Sequence, residues 1–271
     1  MLSGEEPKPP VSHLPVFSES ERIFRLAEVV GRQGTSAADC TEPSLLLVLA
    51  GKVQLGARRT FVPGDVTPCQ GSELLLEPDT KIWQLTGSSV LLGDVEHFAT
   101  RLRRKDADVA AHSARVALLA KAIGQRLGFS TLHLERLSLA AYLHDVGKLR
   151  LPDRILQTPA SLTPAEWRLM TQHPSYGRQL LEATTLEFLT IIIEQHHERF
   201  DGSGYPFGLT GDAVALEGYV IAVADTFDAI THARPYRQAR SPEAALSEVN
   251  RYSGVLYPCE VVGALNAATR S

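Results

Sequence analysis

The residues best equipped for chemistry in this chain are histidines and aspartates gathered in its second half. His144-Asp145 opens the run HDVGK, which ends in Lys148. Alone, a His-Asp pair is near chance frequency, and a buried histidine beside a capping aspartate would account for it. The remaining histidines change the weighing. His112 opens HSARV on the apolar side set by Val109, Val116 and Leu119, so it should point inward. His173 begins HPSYG, His196-His197 begins HHERFDGSGYP, and Asp225 interrupts the apolar stretch YVIAVADTFD. An aspartate there is costly to bury without a cation or a hydrogen-bond partner. Each residue has a dull explanation as a core or capping group, but five histidines and two aspartates in one helical region do not share one easily. Nitrogen and oxygen ligands without sulfur suit Fe, Mn, Zn, Ni or Mg-class ions. More than four ligands implies at least two ions, and a metal pair can clamp the attacking and leaving oxygens of a phosphodiester and generate hydroxide at neutral pH.

The elements that must position these residues fall into two textures, dividing near residues 94–106. Residues 1–18 read as a loose arm and Glu19–Gly31 as a short helix. From Ser44 to Leu92, short apolar runs are cut by Ala50-Gly51, Pro63-Gly64-Asp65, Glu77-Pro78-Asp79 and Thr86-Gly87, the pattern of antiparallel strands. A small β-roll or sandwich is the natural packing. The stretch Gly51–Leu55, with Phe61-Val-Pro-Gly-Asp65, resembles the strand-turn rhythm of cyclic-nucleotide-binding and cupin β-rolls. It lacks the phosphate cassette of the first and the histidine cluster of the second, leaving a regulatory or dimerisation module as the expectation. From Asp106 the spacing is helical: Asp106–Leu127 closing at Gly128, then Leu132–Val146. Thr163-Pro164-Ala165-Glu166 carries three helix-start signals. Further helices are expected at Ser175–Ala183, Leu186–Glu198, Glu217–His232, Pro242–Arg251 and Cys259–Ala268. The expected class is therefore α+β and multidomain, with a β-rich module over 1–95 and an all-α domain over 96–271.

Bulk properties bound the partners. The 271 residues are 44% hydrophobic and 21% charged, with a formal net charge of -4. No general pull toward DNA or an anionic membrane is expected, and a phosphate ester would have to be met locally. Three scattered cysteines (Cys40, Cys69, Cys259) argue against a disulfide framework and for a reducing compartment. The N-terminal segment has no signal-peptide core, and no apolar run approaches a membrane span. A cytoplasmic location is the expectation.

From about Asp106 onward the sequence resembles the HD-GYP phosphodiesterases, a bacterial branch of the HD superfamily. Besides HSARV and HDVGK, the likeness covers Leu151-Pro-Asp, Leu162–Glu166, His173-Pro-x-x-Gly177, His196–Pro206, Val223–Ala229 and Arg234–Arg237. The resemblance implies that Asp145 bridges two metals, completed by His112, His144 and Asp225 on one side and His173, His196 and His197 on the other. It implies Fe or Mn as the ions. Lys148 would face the scissile phosphate as a cationic stabiliser or leaving-group acid, its alternative being a solvated lysine near a helix end. Gly204-Tyr205-Pro206 would form a loop beside the site, with Tyr205 near the substrate. Arg234 and Arg237 would meet its phosphates, unless they lie on a solvated turn. Some members carry a third metal on a glutamate four residues before the first histidine. Asp108 stands there, one methylene shorter, and an exposed carboxylate favoured by the helix dipole is the alternative.

The family's usual substrate is cyclic di-GMP, opened to pGpG and in some members on to GMP, through attack by a metal-bridging hydroxide. Related cyclic dinucleotides, a homodimer, and a diguanylate cyclase or other signalling protein are the partners this reading admits. Two competing readings stay open: a non-catalytic nucleotide receptor or interaction protein, and an HD phosphohydrolase acting on nucleoside phosphates.

Overall fold

The structure is a computed structural model that describes residues 24–30, 43–55, 59–69, 74–77, 79–156, 158, 161–233 and 238–270. The arm expected over residues 1–18 lies outside these. Seven strands come first: β1 (Phe24–Val30), β2 (Ser44–Ala50), β3 (Val53–Leu55), β4 (Arg59–Phe61), β5 (Val66–Cys69), β6 (Leu74–Leu76) and β7 (Lys81–Gly87). They form an antiparallel sheet in the order β1-β7-β2-β5 and a second in the order β4-β3-β6. The unbroken apolar run of β2 follows from burial on both faces. Leu45, Leu47 and Leu49 join a core shared with the helices, whereas Leu46 and Val48 meet Val53, Cys69, Leu76 and Ile82 in a core between the sheets.

Three expectations are corrected here. The segment read as a helix over Glu19–Gly31 contains strand β1, paired along its length with β7. Phe24 and Leu26 are buried and Arg25 exposed, a period of two that serves a sheet edge. The Leu26 N–H donates to the buried Glu135 carboxylate at 3.1 Å, satisfying a group an open edge would leave bare. Second, the strand texture read through Leu92 ends earlier, because a helix begins at Ser89 with the Ser88 hydroxyl accepting from the Leu91 N–H. Leu91, Val95, Phe98 and Leu102 then face inward at helical spacing. Third, Cys69 is disulfide-bonded, while Cys259 is a free thiol. A sparse cysteine count could not reveal that pairing.

The helices are α1 (Ser89–Lys105), α2 (Ala107–Arg126), α3 (Thr131–Leu143), α4 (Asp153–Leu156), α5 (Pro164–Met170), α6 (His173–Leu181), α7 (Thr190–Gln195), α8 (Leu216–Thr231), α9 (Pro242–Arg251) and α10 (Cys259–Ala268). A 3₁₀ turn over Val146–Arg150 follows α3. Helix α1 crosses the boundary expected at 95/96. Among the described residues, no helix is long and apolar enough to cross a membrane.

Helices α2, α3 and α8 pack together through buried residues of one continuous core, including Val116, Ala120, Leu139 and Val220. The turn between β4 and β5 docks on this bundle. Arg103 pairs with Asp65 at 2.8 Å and donates to the Pro63 carbonyl, and the Tyr142 hydroxyl donates to the Gly64 carbonyl at 3.2 Å. Gly64 has φ +87°, and a Cβ there would lie 2.6 Å from the Ala110 backbone carbon on α2. Both facts require glycine. Gly64→Ala should therefore destabilise the chain by about 2 kcal/mol, read as a lower urea midpoint by circular dichroism. An unchanged midpoint would show that this turn is not tightly docked.

Candidate metal centre

Three helices end where their last carbonyls need partners, and a histidine supplies one in each case. The final four carbonyls of a helix have no intrahelical donor. His144 follows the end of α3 and donates from Nδ1 to the Ala141 carbonyl at 2.8 Å. His196 follows α7 and donates to the Ile193 carbonyl at 2.6 Å. His173 follows the end of α5 and donates to the Met170 carbonyl at 2.7 Å. His112, in the middle of α2, instead places Nδ1 at 2.6 Å from Asp228 Oδ2. Each ring thus has Nδ1 anchored and Nε2 directed inward.

These Nε2 atoms converge on two carboxylates, the half-buried Asp225 and the buried Asp145. His112 Nε2 lies 3.0 Å from Asp225 Oδ1. Asp145, 1% exposed, turns Oδ2 toward His144 Nε2 at 3.4 Å and Oδ1 toward His173 Nε2 at 3.3 Å. His173 and His196 bring their Nε2 atoms within 3.3 Å of each other. With both Nδ1 atoms donating to carbonyls, the neutral rings face one another with lone pairs. Lone pairs aimed together in a buried space fit a cation between them. Two groups of ligand atoms result, His112, His144 and Asp145 in one, and His173, His196 and His197 in the other, each able to hold a metal ion.

The electrostatics prepare both groups for cations. Burial pushes the Asp145 carboxyl up, but Lys148 and His144 outweigh it and hold it well below the usual carboxylate range. Asp225 follows the same pattern, with His112 as the main opposing partner. Burial drives His173 down to about 4, only partly offset by Asp145. His196 and His197 are also lowered well below the ordinary histidine value, by burial and by neighbouring imidazoles. His112 runs the other way: burial lowers it, but its bonds to Asp225 and Asp228 raise it overall.

The other expected residues divide. Lys148 lines the cleft and donates from Nζ to Asp145 Oδ2 at 2.6 Å. Tyr205 stacks on His197 with ring centroids 4.7 Å apart. Asp108 is exposed on the cleft lining and belongs to neither ligand group. Arg234 and Arg237 lie outside the described residues. Three supporting residues had no role assigned from sequence. Asp228 holds His112 and is itself gripped by Arg115 through Nε at 2.7 Å and Nη2 at 2.9 Å. Its signal was present, since it stands three residues after Asp225 in an otherwise apolar helix and so shares its side. Buried Glu198 accepts from the Phe207 and Leu209 N–H groups at 2.7 and 3.0 Å, bracing the loop that follows Tyr205. The whole centre opens onto a cleft of about 1080 Å³.

The HD domain family model matches residues 96–261. The chain is 40% identical over 163 residues to a cyclic di-GMP phosphodiesterase of Thermotoga maritima, covering 59% of this chain and 44% of that protein. It is 38% identical over 174 residues to the cyclic di-GMP phosphodiesterase response regulator RpfG of Xanthomonas campestris, covering 63% and 46%. It is 37% identical over 168 residues to the 3'3'-cGAMP-specific phosphodiesterase 3 of Vibrio cholerae, covering 61% and 36%. The chain thus spans under half the length of these relatives. Among solved structures, Bd1817, an HDG"Y"P protein from Bdellovibrio bacteriovorus, matches in fold with TM-score 0.50 and 14% identity, over 92% of this chain and 100% of that one.

Two outcomes follow from this geometry. Asp228→Asn removes the charge that orients His112 and should weaken metal retention about 10- to 100-fold, measured by chelator competition; unaltered retention would deny Asp228 that role. The second concerns the metal-stripped chain. An unfolded histidine takes up its proton near 6.5, whereas His173 resists until about 4. Between those values the unfolded state binds more protons, so stability falls as pH falls. His196 and His197 act in the same direction and His112 in the opposite one. Calorimetry should show the melting temperature dropping from pH 6.5 toward 4, and less steeply in His173→Gln; a flat profile would contradict the buried neutral imidazoles.

Proposed function

We propose, on the premise that the chain belongs to the HD domain family, that it is a metal-dependent phosphodiesterase that opens cyclic di-GMP to pGpG. The observation that carries this reading is Asp145. Its two oxygens face two different histidine groups, the placement needed for one carboxylate to serve two ions. On this reading His112, His144 and Asp225 complete one ion's ligands and His173, His196 and His197 the other's; the nitrogen and oxygen donor set admits Fe or Mn, the ions that the resemblance to the HD-GYP phosphodiesterases implies. When bound, such ions lower the pKa of water and offset charge on a phosphate.

The chain's own groups supply the rest. The cleft leaves the centre open to a phosphodiester, with His112, Asp145, Lys148 and His173 on its lining. Lys148 sits on the cleft with its Nζ proton already shared with Asp145. Moved toward substrate, that ammonium offsets the charge that builds on the phosphoryl oxygens and can give a proton to the departing 3′ oxygen. Tyr205, stacked on His197, forms part of the wall that the substrate meets. Relatives named for cyclic di-GMP and for cGAMP support cyclic dinucleotides with at least one guanine as the substrate class.

The test is direct. The 271-residue chain reconstituted with Fe or Mn under reducing conditions is incubated with cyclic di-GMP and the products are separated by chromatography. pGpG should accumulate, and Asp145→Ala should lose both metal retention and turnover, by more than about 100-fold. Stoichiometric metal without turnover of any cyclic dinucleotide would leave a receptor instead of an enzyme, and unchanged activity in the variant would refute the site assignment.

A further inference from the structure

The short helix α5 is built to present a side chain, since nothing in it is buried. Its start is secured by a capping box in which the Thr163 hydroxyl accepts from the Glu166 N–H and the Glu166 carboxylate accepts from the Thr163 N–H. None of its residues is buried, so the helix does not owe its position to packing its own apolar face. It nevertheless carries Trp167, 53% exposed. Six large hydrophobic side chains are exposed among the described residues, and of these only Trp167 lines the cleft.

The surroundings of that ring are aromatic and lead inward. Trp167 meets Tyr205 edge-on, with centroids 6.3 Å apart and planes at 78°. Tyr205 in turn stacks on His197 at 4.7 Å, and His197 belongs to one of the two ligand groups. These two steps put the Trp167 ring no more than about 11 Å from the His197 ring. An edge-on contact engages at most one side of the indole, and the 53% exposure of Trp167 leaves the rest of the ring open. Leu162 and Met170 also line the cleft and add apolar surface to it. A charged metal centre at one end and an open indole about one nucleoside away match a ligand with phosphate at one end and a flat aromatic base at the other.

We infer that Trp167 is the base-stacking platform of the cleft and takes a purine of the cyclic dinucleotide while its phosphate lies at the histidine centre. This rests on the phosphodiesterase reading above and adds the residue that selects for a nucleobase. Trp167 touches substrate remote from the reacting bond, so its binding energy serves affinity more than the chemical step. The expected split is therefore in KM, with kcat largely kept.

The experiment uses the full, metal-loaded chain and two variants, Trp167→Ala and Trp167→Phe. For cyclic di-GMP, KM should rise about tenfold or more in the alanine variant and recover most of that in the phenylalanine variant. Turnover of methyl p-nitrophenyl phosphate, a phosphodiester without a nucleobase, should be unchanged in both. Fluorescence gives a readout independent of activity. The chain has two tryptophans, and Trp83 is fully buried in the β core, so quenching on addition of GMP should come from Trp167 and vanish in Trp167→Phe. Equal losses on both substrates, an unchanged KM, or quenching that persists in Trp167→Phe would each overturn the platform. Absence of turnover on every phosphodiester would defeat the enzyme reading alone, and the GMP quenching would still decide the role of Trp167.

Discussion

The structure depends on the ends of three helices meeting at one buried point. A helix terminus leaves carbonyls without donors, and burying such a terminus is costly unless something pairs with them. Here α3, α5 and α7 all stop at the centre, and His144, His173 and His196 each return an Nδ1 proton to a carbonyl three residues earlier. One interaction therefore does two jobs. It satisfies the helix end, and it fixes the ring so that Nε2 points to the middle. Where a ligand histidine lies inside a helix instead, that backbone acceptor is already used, and His112 takes a carboxylate, Asp228, in its place. The same rule of an anchored Nδ1 and a free Nε2 is met by two different acceptors, according to where on a helix the histidine sits.

That convergence would be unstable as a bare collection of polar groups, and the charges show how the fold tolerates it. Two carboxylates, the buried Asp145 and the half-buried Asp225, are kept ionised by Lys148, His144 and His112 despite the cost of desolvation. Three histidines are kept neutral chiefly by that same burial. Negative carboxylates and neutral imidazoles are the protonation states that a divalent ion needs from its ligands. Metal binding would then require little rearrangement of protons, except at His112, whose raised pKa reflects two neighbouring aspartates. A cation near Asp225 would relieve that raise. The Arg115 guanidinium, which holds both oxygens of Asp228, keeps the carboxylate aimed at His112 throughout.

The candidate ligand residues stood out in the sequence because metal chemistry constrains residue type and each sat in a distinctive short motif, and His112, His144 and Asp145, like His173, His196 and His197, come together in space. Helices α2, α9 and α10 were legible from apolar spacing and caps, to within a residue or so at their ends. What escaped the sequence was decided by distant partners. FRLAEVV can serve a helix or a strand by composition; pairing with the distant β7, from Phe24 opposite Gly87 to Val30 opposite Lys81, made it a strand. The apolar triplet Val90–Leu92 resembled the strands before it until the Ser88 cap and the later Val95, Phe98 and Leu102 were read together. Asp228 was visible in the motif Val223–Ala229 but had no assigned role, because its partner His112 lies 116 residues earlier. Asp108 shows the converse. Its spacing to His112 is right for a shared face, yet in the first turn of α2 it remains at the solvent-exposed rim.

The β module and the centre share helix α2, and this sharing sets how they can influence each other. The Pro63-Gly64-Asp65 turn is fixed to the bundle by Arg103 and Tyr142 and lies against the backbone of Ala110. Two residues further along the same helix is His112, and one turn beyond it is Arg115, which holds Asp228. A displacement of the turn along α2 would shift the His112 ring against Asp225 and loosen the pairing that Asp228 enforces. Close packing transmits such a shift instead of absorbing it, since the gap between Gly64 and α2 would not admit even a methyl group. Coupling of that kind requires a second docking of the turn of comparable energy.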